Sequence, residues 1–400
     1  SASEAEPALA AEIEPQLADQ RKRLGDISGS VQSLPIMREL TGDQRRTTHR
    51  LSGGSYLSPL EVVEPGVPDA FAESGSRSPG TRLELAEWLF APENPLTARV
   101  IVNRVWEQVW GEGIATTVED LGTQGAWPSH PELLDCLATT FRDGTFDDID
   151  SPRPWDFKLL LREIVTSATY RQSSLTDAAK FESDPLNTWL ARGPRVRLDA
   201  ETIRDQALAA AGLLARKMYG PPVFPYQPPG LWIMIYSGDQ WNQSAGEDAH
   251  RRSMYTFARR TVPHPAMTTF DAPSREFCVS RRIRTNTPLQ AMVTLNDPQF
   301  VEAAQALARL AMTSAGDSAH RATTIMERVL CRPPTADELR SLLDSYDSLL
   351  ARFRAQPAEA LAAATDPIGA LEPGTDPAEA AAWSVLASVV LNLDEALTKE

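Results

Sequence analysis

Three features of the 400-residue sequence predict a mainly α protein: apolar residues recur at three- and four-residue spacing over most of its length, Asx-Pro and Thr-x-x-Glu helix starts punctuate it, and alternating strand-like runs are scarce. The expected architecture is one or more multi-helix, bundle-like domains with an irregular Pro-rich central region and at most a few short strands. The 31 prolines stand above the usual ~5% and fit stiffened loops. An apolar fraction of 42% with 23% charged residues excludes a disordered or collagen-like chain. The net charge of −15, from 39 Lys and Arg against 54 Asp and Glu, disfavours nucleic acid and acidic lipid surfaces as partners. No run approaches the ~18 apolar residues of a membrane helix, so no membrane span is expected.

Residues 1–80 read as an N-terminal helix plus an extended linker. Leu9, Ile13 and Leu17 predict a helix over 7–24 with Pro15 as a kink, and the Gly, Ser and Pro of 52–80 predict an open segment. Residues 81–175 read as a helical subdomain. A helix over 82–91 precedes one opened by Asn94-Pro95 and ended by Gly111, whose Leu96, Val100, Val105, Trp106, Val109 and Trp110 cover more than one face and predict burial. Ser129-His130-Pro131-Glu132 reads as a capping box ahead of Leu133, Leu134, Leu137 and Phe141. Asp156 is the expected cap of a helix that turns Phe157, Leu160, Leu161, Ile164, Val165 and Ala168 to a core.

Residues 176–290 read as mixed helix and irregular, arginine-rich chain. Asp199 is expected to cap a helix running to Lys217 or Met218, Pro221–Trp241 a packed loop, and Ser253–Ala258 a short strand. The expected strand pieces all fall between 215 and 290. Residues 291–400 read as a C-terminal helical subdomain and a weak repeat of 94–170. Thr287-Pro288 and Asp297-Pro298 open helices, Ala322–Leu330 is helical, and Thr335 with Glu338 forms a second capping box. A loose linker over 357–375 leads to an Asp376-Pro377 helix with Trp383, Leu386, Val390, Leu393 and Leu397 inward.

Cys136, Cys278 and Cys331 are distant and odd in number, so no disulfide framework or zinc pair is expected, and each reads as a small buried hydrophobe. None of the five histidines completes the Cys-x-x-Cys-His of haem c attachment, so no cofactor is expected on this chain and no metal site. From Arg251 to Arg284 the sequence holds eight arginines and two acids, a balance of +6 against −21 elsewhere. Guanidinium forks grip oxyanions in pairs, which makes Arg259, Arg260, Arg281 and Arg282 candidate ligand or partner contacts. The competing reading is that these arginines tie loops together, with Arg252 and Arg284 as internal struts. Tyr226, Trp232, Tyr236 and Trp241 offer a stacking platform, against the plainer reading of loop packing. His264, between two prolines, is a weak acid-base candidate.

Long motifs carry a family resemblance: Asn94–Trp106, Asp120–Gly125, Pro128–Leu134, Ile164–Ser174, Arg197–Ala200, Arg252–Tyr255, Phe270–Arg275, Arg284–Ala291, Leu295–Pro298 and Asn392–Glu395. In these the chain resembles, over 35–400, the planctomycete-type C-terminal domain of unknown function (PSD family) found with cytochrome-c-like domains in large cell-envelope proteins. The resemblance implies a periplasmic or cell-envelope setting, a longer precursor, and haem on a partner or upstream domain. It implies no reaction. The expected function is a non-catalytic binding or assembly module of an exported, cytochrome-associated protein with protein partners, including c-type cytochromes. Two alternatives stand beside it: an enzyme acting on an anionic carbohydrate through the arginine-rich segment and His264, and a haem-free docking subunit for an electron-transfer complex.

Overall fold

A computed structural model describes residues 2–30, 34–41, 44–71, 80–147, 149–232 and 238–399. The chain divides into two compact units, Ser1–Asn94 and Pro95–Glu400. In the first, α1 (Ala2–Ser30) is continuous across Pro15 and extends beyond both expected ends. The expected open segment begins inside a small antiparallel hairpin, β1 (His49–Leu51) against β2 (Pro59–Val62), with a bulge or irregularity in its register. The helix α2 (Arg82–Leu89) starts on a full capping box: Thr81 Oγ1 accepts from Glu84 N at 3.2 Å while Glu84 Oε2 accepts from Thr81 N at 2.9 Å.

The second unit is mainly helical and holds two apolar cores. The first joins α3 (Leu96–Trp110), α4 (Pro131–Asp143) and α5 (Phe157–Thr166). Trp106 and Trp110 stack at 5.1 Å, and Tyr170 meets Trp110 edge-on at 5.6 Å. Pro95, rather than Asn94, occupies the cap position of α3, and Gly111 ends it at φ 89°, where an added Cβ would lie 2.9 Å from Val196. Ser129 makes no capping box. Pro131 takes the first helical position, which moves the cap to His130, and the Ser129 hydroxyl donates to Ile114 O instead. Asp156 caps α5 as expected, accepting from Lys158 N and Leu159 N. The buried line of α5 is Leu159, Leu160 and Ile164; Leu161, a quarter-turn round, is 45% exposed.

A short α6 (Ala178–Ser183) and β3 (Val196–Arg197) lead to the second core, built from α7 (Ala200–Ala210), α10 (Pro298–Thr313), α11 (Ser318–Leu330), α12 (Ala336–Ala355), α13 (Pro357–Thr365) and α14 (Pro377–Leu391). Between them, α8 (Pro265–Thr269) and α9 (Pro288–Asn296) interrupt an irregular stretch. The helix α7 is shorter than the sequence suggests, because the chain turns at Gly212 with φ 74°. The segment 357–375 is no loose linker: α13 buries Ala360 and Ala364, and the buried Gln305 amide donates to Ala363 O at 2.8 Å and Asp366 O at 2.7 Å. An alanine face carries little hydrophobic contrast, though alanine is the best helix former. Asp297 and Asp376 cap α10 and α14, Thr335 and Glu338 form the capping box of α12, and Asp317 caps α11 upstream of its expected start.

The C-terminus turns back as α15 (Asp394–Leu397) and β4 (Thr398–Lys399), so Leu393 lies outside α14 and is part exposed. β4 pairs antiparallel with β3, and Lys399 Nζ donates to Val109 O at 3.3 Å, a cation at the carboxyl end of α3. The two-residue pairing therefore joins both cores at one seam. Among the described residues between 215 and 290 only isolated bridges occur, Ala215 with Arg251 and Val223 with Thr256, so the described strands lie outside the region where they were expected. Proline and backbone groups bonded to side chains prevent a ladder there. All three cysteines are free and exposed rather than buried: Cys136 lies on the outer side of α4, Cys278 in a loop, and Cys331 in the left-handed residue ending α11. No helix among the described residues is long and apolar enough to cross a membrane.

Ile164 is 3% exposed within the first core, so Ile164→Ala is expected to cost about 2–5 kcal/mol. Leu161→Ala, on the same helix, should cost under about 1 kcal/mol. Equilibrium denaturant melts of the two variants check the assigned face; equal losses would contradict it.

Candidate functional site

The irregular segment is held by two buried guanidinium groups. Arg204 on α7, 4% exposed, donates through Nε to Gln299 Oε1 at 2.6 Å, through Nη1 to Arg251 O at 2.9 Å and through Nη2 to Ala249 O at 2.7 Å. Burial pulls its pKa down to about 10, against the pull of Asp205, Asp297 and Glu302. Arg251, 1% exposed, donates to Pro221 O and Tyr219 O and lies 3.9 Å from the Tyr255 ring centre. Here the strut reading holds, on Arg251 rather than Arg252, which is half exposed beside Asp205 at 3.5 Å.

These struts shape a narrow cleft around His264, the N-cap of α8. Its Nε2 donates to Tyr226 O at 2.8 Å, which leaves Nδ1 unprotonated, buried and without a hydrogen-bond partner among the described residues. Burial, opposed by that hydrogen bond, pushes its pKa down to about 4. Glu201, Ser253, Arg259, Thr268 and Arg275 also line the cleft, whose volume of about 50 Å³ admits a few water molecules. Trp232 packs 5.5 Å from Trp241 and 5.0 Å from the Arg259 guanidinium carbon, and Trp241 packs 5.0 Å from Phe224. The aromatics face one another, as the loop-packing reading expects. Tyr226 is part buried and serves through its carbonyl, while Tyr236 lies outside the described residues.

A second polar cluster lies at the seam between the cores. Arg282 grips Glu201 with two bonds of 2.5 and 3.1 Å, and Arg284 Nε lies 3.5 Å from Asp199 Oδ1. Asp199 sits at the cap position of α7 but makes no cap hydrogen bond; its carboxylate serves the arginines. Burial raises the Glu201 pKa, and Arg282 outweighs this to hold it below the usual carboxylate range. Arg197 donates to Gln290 Oε1 at 2.8 Å, and Gln290 Nε2 donates to Thr269 O at 3.0 Å. Asp271, in the left-handed region at φ 61°, accepts from Thr285 N and Oγ1 at 2.8 Å each.

Two cavities flank this cluster and share Arg284. One is a groove of about 690 Å³ that includes Arg192, Arg195, Arg197 and Asp394; the other, about 380 Å³, includes Glu107, Arg281 and Arg282. Of the candidates from sequence, Arg281 and Arg282 come together, Arg259 and Trp232 pair elsewhere, and Arg260 is exposed without a partner among the described residues. The motifs Arg197–Ala200, Phe270–Arg275 and Arg284–Ala291 supply Arg197, Asp199, Asp271, Arg284, Thr285 and Gln290 to the cluster. Among the described residues no group of three or more His, Cys, Asp or Glu could hold a metal.

A family model for proteins of unknown function (PSD1, DUF1553) matches residues 81–346. The chain belongs to the PSD1 family. No curated protein and no solved structure matches it. The PSD1 match encloses the whole cluster around Arg282 and Arg284, while Asp394 and the β4 residues that complete the groove lie beyond it.

His264 is buried neutral, so the unfolded chain takes up a proton that the folded one refuses between the ordinary value near 6.5 and about 4. The stability of the neutral ring is fully present above about 6.5 and is lost as pH falls toward 4. In His264→Gln, the drop in melting temperature between pH 7 and pH 4.5 should be smaller than in the wild type; parallel curves would contradict the assignment.

Proposed function

We propose that this chain is a non-catalytic binding or assembly module, which takes an acidic, apolar-bearing segment of a protein partner in the groove beside β3. The observation that carries this reading is the charge of that groove. Four arginines (192, 195, 197 and 284) line it with one carboxylate, Asp394, in a chain whose net charge is −15. Arg192 is spent on carbonyls, donating to Asp184 O at 2.7 Å and Pro185 O at 2.9 Å, and Arg195 and Arg197 share Asp394. Positive charge is therefore left over for a partner. Leu175 at 82%, Leu186 at 70% and Phe181 at 55% exposure line the same groove, which adds apolar area for an amphipathic segment.

The resemblance noted in the sequence supports the remainder of the proposal: an exported, cell-envelope protein working with a c-type cytochrome, the haem residing on that partner. His264 favours this reading over catalysis in its own cleft, since a ring titrating near 4 is a weak base at neutral pH and the cleft is too small for a sugar.

A fluorescent peptide of alternating Glu and Leu or Phe tests the groove by anisotropy. Wild-type protein should bind it, more weakly as salt rises. Arg192→Glu with Arg195→Glu should weaken binding by more than about tenfold at low salt. Equal affinity of the double variant, or equal binding of a Lys-for-Glu peptide, would overturn the proposal.

A further inference from the structure

The smaller cavity contains a group that the fold leaves unsatisfied. Glu107 lies in the last turn of α3 and is 3% exposed, yet its Oε2 has no hydrogen-bond partner and no cation comes within ion-pair distance of the carboxylate among the described residues. A buried carboxylate without a partner is costly, and burial raises its pKa against the pull of Arg284 and Arg281. The helix end makes this worse, since the carboxyl terminus of α3 presents partial negative charge to it.

Arginines face the same space. Arg281 is half exposed, with Glu119 at 3.8 Å and Thr116 O at 3.4 Å, and Arg284 Nε is buried 3.5 Å from Asp199 Oδ1, with no hydrogen bond among the described residues. Two acids, Glu107 and Glu112, and three arginines, Arg281, Arg282 and Arg284, thus line one cavity of about 380 Å³, and no ion pair joins the two sets among the described residues. The chain at Gly113, which lines the cavity, is closely packed. Asn103, 1% exposed, clamps Ala115 through both its amide atoms at 2.9 Å, and a Cβ on Gly113 would lie 2.6 Å from Ala115 O.

An occupant that satisfies both sides must carry an oxyanion for the guanidiniums and an O–H donor for Glu107. We propose that this cavity binds a hydroxylated carboxylate of monosaccharide size, a sugar acid, with its carboxylate on Arg281 and Arg284 and a hydroxyl donated to Glu107. Such a ligand fits the size range of small-molecule sites. Its hydroxyl supplies the bond that Oε2 lacks, and bonds to a charged acceptor are about twice as strong as neutral ones. The site is separate from the peptide groove except at Arg284, so variants at Glu107 and Arg281 report on the cavity and variants at Arg192 on the groove.

Titration calorimetry of the full chain with D-glucuronate, with D-glucose and acetate as comparisons, tests the proposal. Glucuronate should bind saturably, and glucose and acetate at least about tenfold more weakly, because each offers half of the recognition. Glu107→Gln should weaken glucuronate binding about fivefold to tenfold and Arg281→Ala by more than about tenfold, with Arg192→Ala unchanged. Arg281 is half exposed, so its variant carries the test even if the Glu107 variant were to fold poorly. No saturable glucuronate binding, equal binding of acetate, or wild-type affinity in Arg281→Ala would overturn it. Loss of glucuronate binding in Arg192→Ala would place the anion in the groove and overturn the cavity assignment alone, whereas loss of peptide binding with glucuronate binding intact would leave it standing.

Discussion

The rest of the second unit depends on Arg204. Among its described residues, the segment from Ala215 to Thr285 has no helix longer than a few residues and only isolated strand bridges, so its backbone groups must find partners outside a regular ladder. Arg204 supplies a fixed fork of donors from within α7 and reaches two carbonyls, the Ser253 hydroxyl and the Gln299 amide at once. Among the described residues it makes no hydrogen bond to a carboxylate, so carbonyl, hydroxyl and amide dipoles, with the more distant charges of Asp205, Asp297 and Glu302, offset the burial cost of the guanidinium. Arg251, whose carbonyl Arg204 holds, extends the same device to Tyr219 and Pro221. Once these carbonyls are placed, Tyr226 is positioned to accept from both His264 and Gln299.

The same helix faces two ways. Its inward side carries Arg204, and its first residues, Asp199 and Glu201, turn to Arg282 and Arg284 at the seam where β3 meets β4. A helix start favours carboxylates electrostatically, so these acids sit well there while they orient the arginines. The groove and the smaller cavity share Arg284 as a common wall, and Asp199 at the start of this helix lies 3.5 Å from its Nε. The acidic chain keeps its positive charge concentrated at this seam, where guanidinium groups are oriented by acids without being fully covered by them.

The legible parts of the sequence were those whose physics is local. Asp156, Asp297, Thr335 and Asp376 reveal helix starts because a cap bond closes within three residues. Ser129 misleads because Pro131 competes for the same register, and α13 escapes notice because Ala360 and Ala364 bury a face with no strong apolar signature. The cluster at the seam was half legible. The excess of arginine between 251 and 284 is plain in the composition, but its partners are remote: Glu201 lies 81 residues from Arg282, and Gln290 lies 93 from Arg197. Asn103 and Glu107 carried the one usable hint, a polar pair at four-residue spacing on a helix whose apolar residues wrap more than one face.

Buried guanidinium groups, and Arg204 first, hold the irregular segment against the helical core. Hydrogen exchange of Arg204→Met, followed by mass spectrometry, tests it most directly. Selective loss of protection is expected at Ala215, Val223 and Phe257, whose amides bond to His250 O at 3.0 Å, Tyr255 O at 2.8 Å and Val223 O at 2.8 Å, with α11 and α14 still protected. Unchanged protection at those three amides, or a uniform loss across both cores, would contradict it.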